Sequence, residues 1–282
     1  MNLSYLSLRG SLLTRLTRLT RLTRRAVGAG VGALLACGVL LASPAASAAT
    51  IDFESHTNVA SDALGAGDTL YAGHDQFLAA GYVATVADSV YAQSQPDYTP
   101  GLAGAIIDHS DRLACYLVAC PGSFFNQTHY YAGLNDSSLT LAREDHQAFS
   151  LGALDFAFVA PGFDMANASY GMLVLSATVS GSTATITRAM DLPGQFLDGN
   201  FIFGTWQLDD AFRGAQLSSL TISACVFDAA ENCLNGADSY NLAQFAVDNI
   251  ALSVVPEPPA VALLAAGLAL LSWRARRRAT AL

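Results

Sequence analysis

Between Thr50 and Val254 apolar residues come in short runs, alternating or continuous, separated by clusters of Gly, Pro, Asn and Asp. That punctuation limits the fold more than any other feature, because helical periodicity is weak and no run is long enough for a helical bundle. The pattern predicts strands over Thr50–Glu54, Tyr82–Val86, Ser138–Leu141, Ala148–Val159, Met172–Val179, Ala184–Arg188, Phe201–Leu208, Leu217–Phe227 and Leu242–Val254. Phe149, Leu151, Leu154, Phe156 and Phe158 alternate only in part, and the slip at Gly152-Ala153 predicts a bulge. Pro161-Gly162, Gly181-Ser182, Pro193-Gly194 and Asn235-Gly236 stand where turns should fall. Gln93–Gly104 and Pro121–His129 read as longer loops. The expectation is an all-β sandwich.

Both ends of the chain read as targeting segments. Arg9, Arg15, Arg18, Arg21, Arg24 and Arg25 precede an apolar run from Ala26 to Ala42, and Ala46-Ser47-Ala48 supplies small residues for a signal peptidase. Residues 1–48 are therefore expected to be a signal peptide, with Cys37 lost in it. The Leu-Thr-Arg triplets between Leu13 and Arg24 form a three-residue repeat, which drifts around a helix and makes no fixed face. At the other end Pro256-Glu257-Pro258 resists helix formation, since proline fixes φ and lacks an N–H. From Pro259 to Trp273 every residue but Ser272 is apolar or Gly. That stretch is short against the ~20 residues a spanning helix needs, and Arg274, Arg276, Arg277 and Arg278, held on the cytoplasmic side, extend it by snorkelling.

The order Val255-Pro256-Glu257-Pro258, Ala260 to Leu264, Gly267 to Leu271 and Arg274 to Arg278 resembles the PEP-CTERM sorting signal. The resemblance covers residues 255–282 and implies processing by an exosortase, a membrane transpeptidase-like enzyme. The chain would sit transiently in the inner membrane and then pass to the cell surface or exopolysaccharide matrix. A plain single-pass anchor would not require Pro-Glu-Pro immediately outside so short a helix.

Residues 49–254 remain as the ectodomain. Its Arg112, Arg143, Arg188 and Arg213 stand against 22 acids, and the chain has no Lys, so its formal charge is −18. Such a surface disfavours nucleic acid, whose phosphates need clustered Lys and Arg, and favours cations and neutral glycans. Cys115, Cys120, Cys225 and Cys233 are an even set in an exported chain, which predicts disulfides. Of three connectivities the local one, Cys115 with Cys120 and Cys225 with Cys233, is favoured because each bridge staples a loop beside a strand. Zinc is the rival, but paired CxxC and nearby histidines are missing from the sequence.

Ile51-Asp52-Phe53-Glu54 opens the ectodomain and Phe245 to Leu252 closes it, an arrangement similar to jelly-roll carbohydrate-binding modules and lectin-like domains. That resemblance implies adjacent first and last strands and a structural Ca²⁺ held by Glu54 and Asp248, with Asn249 as neighbour. Calcium takes six to eight hard oxygen ligands in irregular geometry. The alternative reading makes Asp248-Asn249 a solvent-facing pair or a turn. Tyr130 to Leu141, followed by Phe149-Ser150-Leu151, looks like segments common in PEP-CTERM ectodomains.

Catalytic signals are weak. There is no Gly-x-Ser-x-Gly elbow, and His56, His74, His109, His129 and His146 are scattered. Asp108 to Asp111 and Glu144-Asp145-His146 read as solvated turns. Sugar faces stack on aromatic rings with polar tips, and Tyr98, in Gln95-Pro96-Asp97-Tyr98-Thr99-Pro100, is the best loop-borne candidate. Trp206 reads as core, and strand alternation puts one of Tyr130 and Tyr131 inside and the other outside. The expected function is a non-catalytic, glycan-associated or structural role at the cell surface. A secreted glycosidase-like hydrolase is the alternative.

Overall fold

The computed structural model describes residues 48–60, 69–109, 120–121, 128–161, 168–196, 199–234, 242–254 and 267–272. Two units emerge, Ala46–Val255 and the two chain ends together. In the second, residues 267–272 are helical, inside the predicted sorting helix, with Leu268, Leu270 and Leu271 exposed. Among the described residues no helix is long and apolar enough to cross a membrane. Pro256-Glu257-Pro258, Arg274, Arg276, Arg277, Arg278 and the signal peptide lie outside the described residues.

The ectodomain is all-β. In chain order its strands begin with β1 (Ala48–Ile51), β2 (Thr57–Ala60), β3 (Leu70–Ala72), β4 (Gln76–Ala79) and β5 (Tyr82–Ala87). There follow β6 (Leu102–Asp108), β7 (His129–Gly133), β8 (Ser138–Arg143), β9 (Phe149–Phe158) and β10 (Gly171–Val179). The last are β11 (Thr185–Asp191), β12 (Gly204–Gln207), β13 (Leu217–Phe227), β14 (Cys233–Leu234) and β15 (Phe245–Val254). Two single-turn helices, α1 (Val90–Gln93) and α2 (Asp210–Arg213), are capped by Ser89 and Asp209, whose side chains accept from Ala92 N and Phe212 N.

Among the described residues all strand pairings are antiparallel and form one curled sheet whose halves meet at a single pairing, Leu217 with Phe149. One half runs β2-β4-β5-β8-β13-β10-β11, and the other runs β3-β6-β7-β15-β9-β12 with β1 also on β15. Between them lies one core, in which Leu139, Leu141, Leu220, Ile222 and Leu173 from the first half join Tyr131, Leu154, Phe156, Val247 and Leu252 from the second. Phe77 of β4 bridges the layers, its ring 6.1 Å from that of Tyr131 and 4.8 Å from that of Tyr71.

The first half keeps the two-residue period that the sequence displays. Its inward residues are mostly aliphatic, with Phe77 and Tyr82 as aromatic members, while Thr85, Thr140, Thr221, Ser176 and Thr187 stand opposite one another across five strands on the outer face. Thr140 Oγ1 and Thr221 Oγ1 are 2.9 Å apart. The second half breaks that period, because a second apolar cluster covers its outer face. There Ala105, Ile107, Tyr130, Ala132, Leu134, Ala157, Val159 and Ala246 pack with Leu102, Cys120 and Phe203.

This double cover corrects the expectation for the tyrosines. Tyr131 is 0% exposed in the main core and Tyr130 is 1% exposed in the second cluster, edge-on to Phe203 at 5.4 Å. Neither is free. It also explains why β6, within a stretch expected to be loop as far as Gly104, is a strand: Ala103 to Ile107 is buried throughout, as near-continuous apolar runs are when both faces are covered.

Other expectations hold with small shifts. The strand Leu217–Phe227 is found at those limits, and Trp206 is buried. The slip at Gly152-Ala153 is a paired irregularity: β15 has an extra residue between Asp248 and Ala251, and β9 has one between Ala153 and Leu151. Asn249 takes φ 48° there, a left-handed conformation Asn tolerates. The opening strand ends at Ile51 and not at Glu54, because Phe53 takes φ 57° and turns the chain. Cys225 and Cys233 are disulfide-bonded, closing the turn between β13 and β14. Cys120 is also disulfide-bonded, and Cys115 lies outside the described residues.

Candidate functional site

Where β5 ends, Asp88 is carried inward and is 8% exposed. Its backbone carbonyl accepts from Gln93 Nε2 at 2.6 Å, which ties the start of α1 to its end. The chain then loops back so that Tyr98 Oη donates to Asp88 Oδ2 at 2.6 Å and Gly101 N donates to the same oxygen at 3.2 Å. Oδ1 makes no hydrogen bond among the described residues and retains access to solvent. One carboxylate oxygen is thus fixed and the other is open.

A glycine permits this arrangement. Gly73, in the β3–β4 turn, donates its N–H to Gly101 O at 3.2 Å, and a Cβ on it would lie 2.2 Å from Asp88 Oδ2 and 2.9 Å from Tyr98 Oη. The next residue, His74, takes φ 81° and sets its ring edge-on to Tyr98 at 6.2 Å. Burial, and then the hydrogen bond to Asp88, push the Tyr98 phenol up to about 12. It stays a neutral donor, since ionising it beside a carboxylate is unfavourable.

The opposite wall comes from the turn between β7 and β8. Asn135 and Asp136 both have positive φ, 56° and 59°, and Ser137 N donates to Leu134 O at 3.1 Å, a type I′ turn. Here the turn joins strands of different halves, so it works as a corner. Asn135 Nδ2 donates to Leu102 O at 2.8 Å, and Asp136 accepts from Leu242 N and Ala243 N. The result is an open cleft of about 140 Å³ lined by Asp88, Ala92, Thr99, Gly101, Leu102 and Asn135. It contains oxygen acceptors, a hydroxyl, an amide and two apolar side chains, and no basic side chain among the described residues.

Tyr98 therefore sits beside the cleft with its hydroxyl given to Asp88. Sequence reasoning had passed over Asp88, Thr99 and Asn135. The local signals for them are Asp88-Ser89 before α1 and Asn135-Asp136 at a turn, but both are common loop dipeptides.

Glu54 and Asp248 meet at a second place. As the resemblance implied, β1 pairs antiparallel with β15, from Ala48 opposite Ser253 to Ile51 opposite Ile250. Glu54 Oε1 accepts from His129 N at 2.9 Å, and Oε2 lies 2.8 Å from His129 Nδ1. The backbone N–H of His129 is the main cause holding the Glu54 carboxyl below its ordinary value. His129 Nε2 lies 3.8 Å from Asp108 Oδ2. Asp248 is 0% exposed, and its Oδ2 accepts from Thr128 Oγ1 at 3.0 Å while Oδ1 accepts from Asn249 N at 2.7 Å. The two acids thus contact adjacent residues, Thr128 and His129. Among the described residues no group of three or more His, Cys, Asp and Glu side chains is arranged to hold a metal ion, so further oxygens would have to come from backbone or hydroxyl groups.

No family model matches the chain, and no curated protein matches it. Among solved structures it is similar to a DUF4465 family protein from Bacteroides caccae, with 11% identity and a TM-score of 0.40 over 75% of this chain and 100% of that one. It is similar to TmCBM61 in complex with β-1,4-galactotriose, with 8% identity and a TM-score of 0.27 over 54% of this chain and 83% of that one. A third similar structure is CBM27-1 of Caldicellulosiruptor saccharolyticus in complex with mannohexaose, with 12% identity and a TM-score of 0.26 over 75% of this chain and 98% of that one.

Proposed function

We propose that this chain is an exported, non-catalytic protein that associates with neutral polysaccharide at the cell surface or in the exopolysaccharide matrix. The observation that carries the reading is Asp88, a carboxylate sealed in place by Tyr98 and Gly101 on one oxygen and open on the other, in a cleft that also offers Thr99 and Asn135. Sugar hydroxyls are donors that match such acceptors, and hydrogen bonds to a charged group are the stronger ones. A cleft without Lys or Arg among the described residues, in a domain of formal charge −18, suits neutral glycans and repels acidic ones.

Export and release follow from the ends of the chain. Signal peptidase would remove residues 1–48, and an exosortase would act at Pro256-Glu257-Pro258 while residues 259–278 hold the chain in the inner membrane. Glu54 and Asp248 support a structural Ca²⁺ as the remaining element, because both reach the Thr128–His129 stretch, one from the turn that follows the first strand and the other from the last strand. Calcium there would tie the chain's opening and closing segments together.

The test is a pull-down of the purified full chain on neutral and acidic polysaccharides, with Ca²⁺ and with chelator. Saturable retention on a neutral polymer is the expected result. No retention on any polymer would leave a purely structural surface protein, and new reducing ends would identify a hydrolase.

A further inference from the structure

We infer that the Asp88 cleft recognises the end of a glycan chain, a single terminal sugar residue, and not a stretch of its interior. The inference rests on the glycan reading above and deepens it. Size is the first argument: about 140 Å³ is well below the ~300–1,000 Å³ of pockets that enclose a drug-sized ligand, so the cleft suits one pyranose-sized unit. Place is the second. The walls are the β5–β6 loop on one side and the corner turn carrying Asn135 on the other, so the opening is local and does not run along a sheet face where an extended polymer would lie.

Chemistry is the third argument. Asp88 Oδ1 has no hydrogen-bond partner among the described residues, Asn135 spends only Nδ2, on Leu102 O, and Thr99 is an exposed residue of the cleft lining. Three groups within one small cleft ask for a ligand that offers several hydroxyls from one ring. A residue inside a chain has lost hydroxyls to both of its linkages, whereas the non-reducing terminal residue keeps all but the one at its anomeric carbon. Ala92 and Leu102 supply apolar surface for ring C–H groups. Asp88 sets specificity as a pure acceptor, which a sugar acid's carboxylate cannot satisfy.

Calorimetric titration of the detergent-solubilised full chain tests this, using glucose, mannose, galactose, xylose and the linear di- to hexasaccharides of each. For whichever series binds, the expected Kd per chain stays within about threefold from monosaccharide to hexasaccharide. Asp88→Asn keeps an oxygen for Tyr98 and Gly101 but turns the open acceptor into a donor, so it should weaken binding about tenfold or more. Thr99→Val, at an exposed position, should weaken it several-fold with no change in melting temperature, and it decides the matter if Asp88→Asn does not fold. A Kd that tightens tenfold or more with chain length overturns chain-end recognition and leaves the glycan reading standing. Binding equal to wild type in the folded variants overturns the assignment to this cleft. Failure of every sugar to bind overturns both readings.

Discussion

Replacing Gly73 with alanine should damage the cleft and the stability of the domain together. Gly73 is not needed for an unusual φ; it is needed because the space beyond its Cα is filled by Asp88 and Tyr98. The added Cβ would stand 2.2 Å from Asp88 Oδ2 and 2.6 Å from its Cγ, where ordinary contact begins at 3.4 Å. The carboxylate must therefore retreat by roughly 1 Å, which stretches bonds of 2.6 Å to Tyr98 and 3.2 Å to Gly101 beyond hydrogen-bonding range. A hydrogen bond to a charged group is worth about 1.5–3 kcal/mol and overpacking costs about 1–3 kcal/mol, so a loss of about 2.5–6 kcal/mol is expected. For a domain of this size that lowers Tm by about 5–24 °C. Differential scanning calorimetry reads it directly. Gly101→Ala is the matched control, because a Cβ there meets nothing within 4 Å and the donating N–H is kept; its Tm should stay within about 1 °C of wild type. If Gly73→Ala also stays within about 2 °C, Asp88 swings aside at little cost, and the description of a rigid, pre-set acceptor is wrong.

Other consequences follow from named contacts. Replacing both Cys225 and Cys233 with alanine opens a loop of sequence separation 8 and should cost about 2.5 kcal/mol by loop-closure entropy, seen as a lower urea midpoint. Arg143 holds the Asp145 carboxyl at about 2, below its ordinary 3.8, so the stability it contributes is present above pH ~4 and is lost as pH falls toward 2. Acid titration of Asp145→Asn should accordingly show a shallower decline in Tm across that window, and an unchanged slope would remove the ion pair from the account. Asp248→Ala should abolish any Ca²⁺-dependent rise in Tm; an undiminished rise places the ion elsewhere. Deleting Pro256-Glu257-Pro258 should leave the tail attached in the inner membrane, and mass spectrometry showing normal processing would defeat the sorting assignment.

The all-β class was legible in the chain itself, because alternation and turn residues are local properties. Phe149 with Leu151, and beyond the slip Leu154 with Phe156, face one core through a two-residue period that is visible without any partner, and the break at Gly152-Ala153 already marked the irregular pairing with β15. The close disulfide at Cys225 and Cys233 was legible for the same reason, since eight residues leave little choice of neighbour. Burial of Tyr130 was not. Whether the second face of β7 meets water or protein depends on Phe203, far along the chain, and on Cys120 in another segment, and no pattern within Tyr130-Tyr131-Ala132-Gly133 encodes that.

The cleft shows the same division more sharply. By itself the sequence determined that Tyr98 would ride on a loop; the Ser89 cap and the Asn135-Asp136 bend also rest on those residues' own backbone and hydrogen-bonding preferences, but as common loop dipeptides they did not stand out. Only the tertiary structure decided that Gly73, Asp88, Tyr98 and Gly101 should meet around one carboxylate oxygen, with Asn135 of another segment lining the same cleft. Such a meeting is fixed by strand order and layer packing, which are sums over the whole core and leave no mark at any single position.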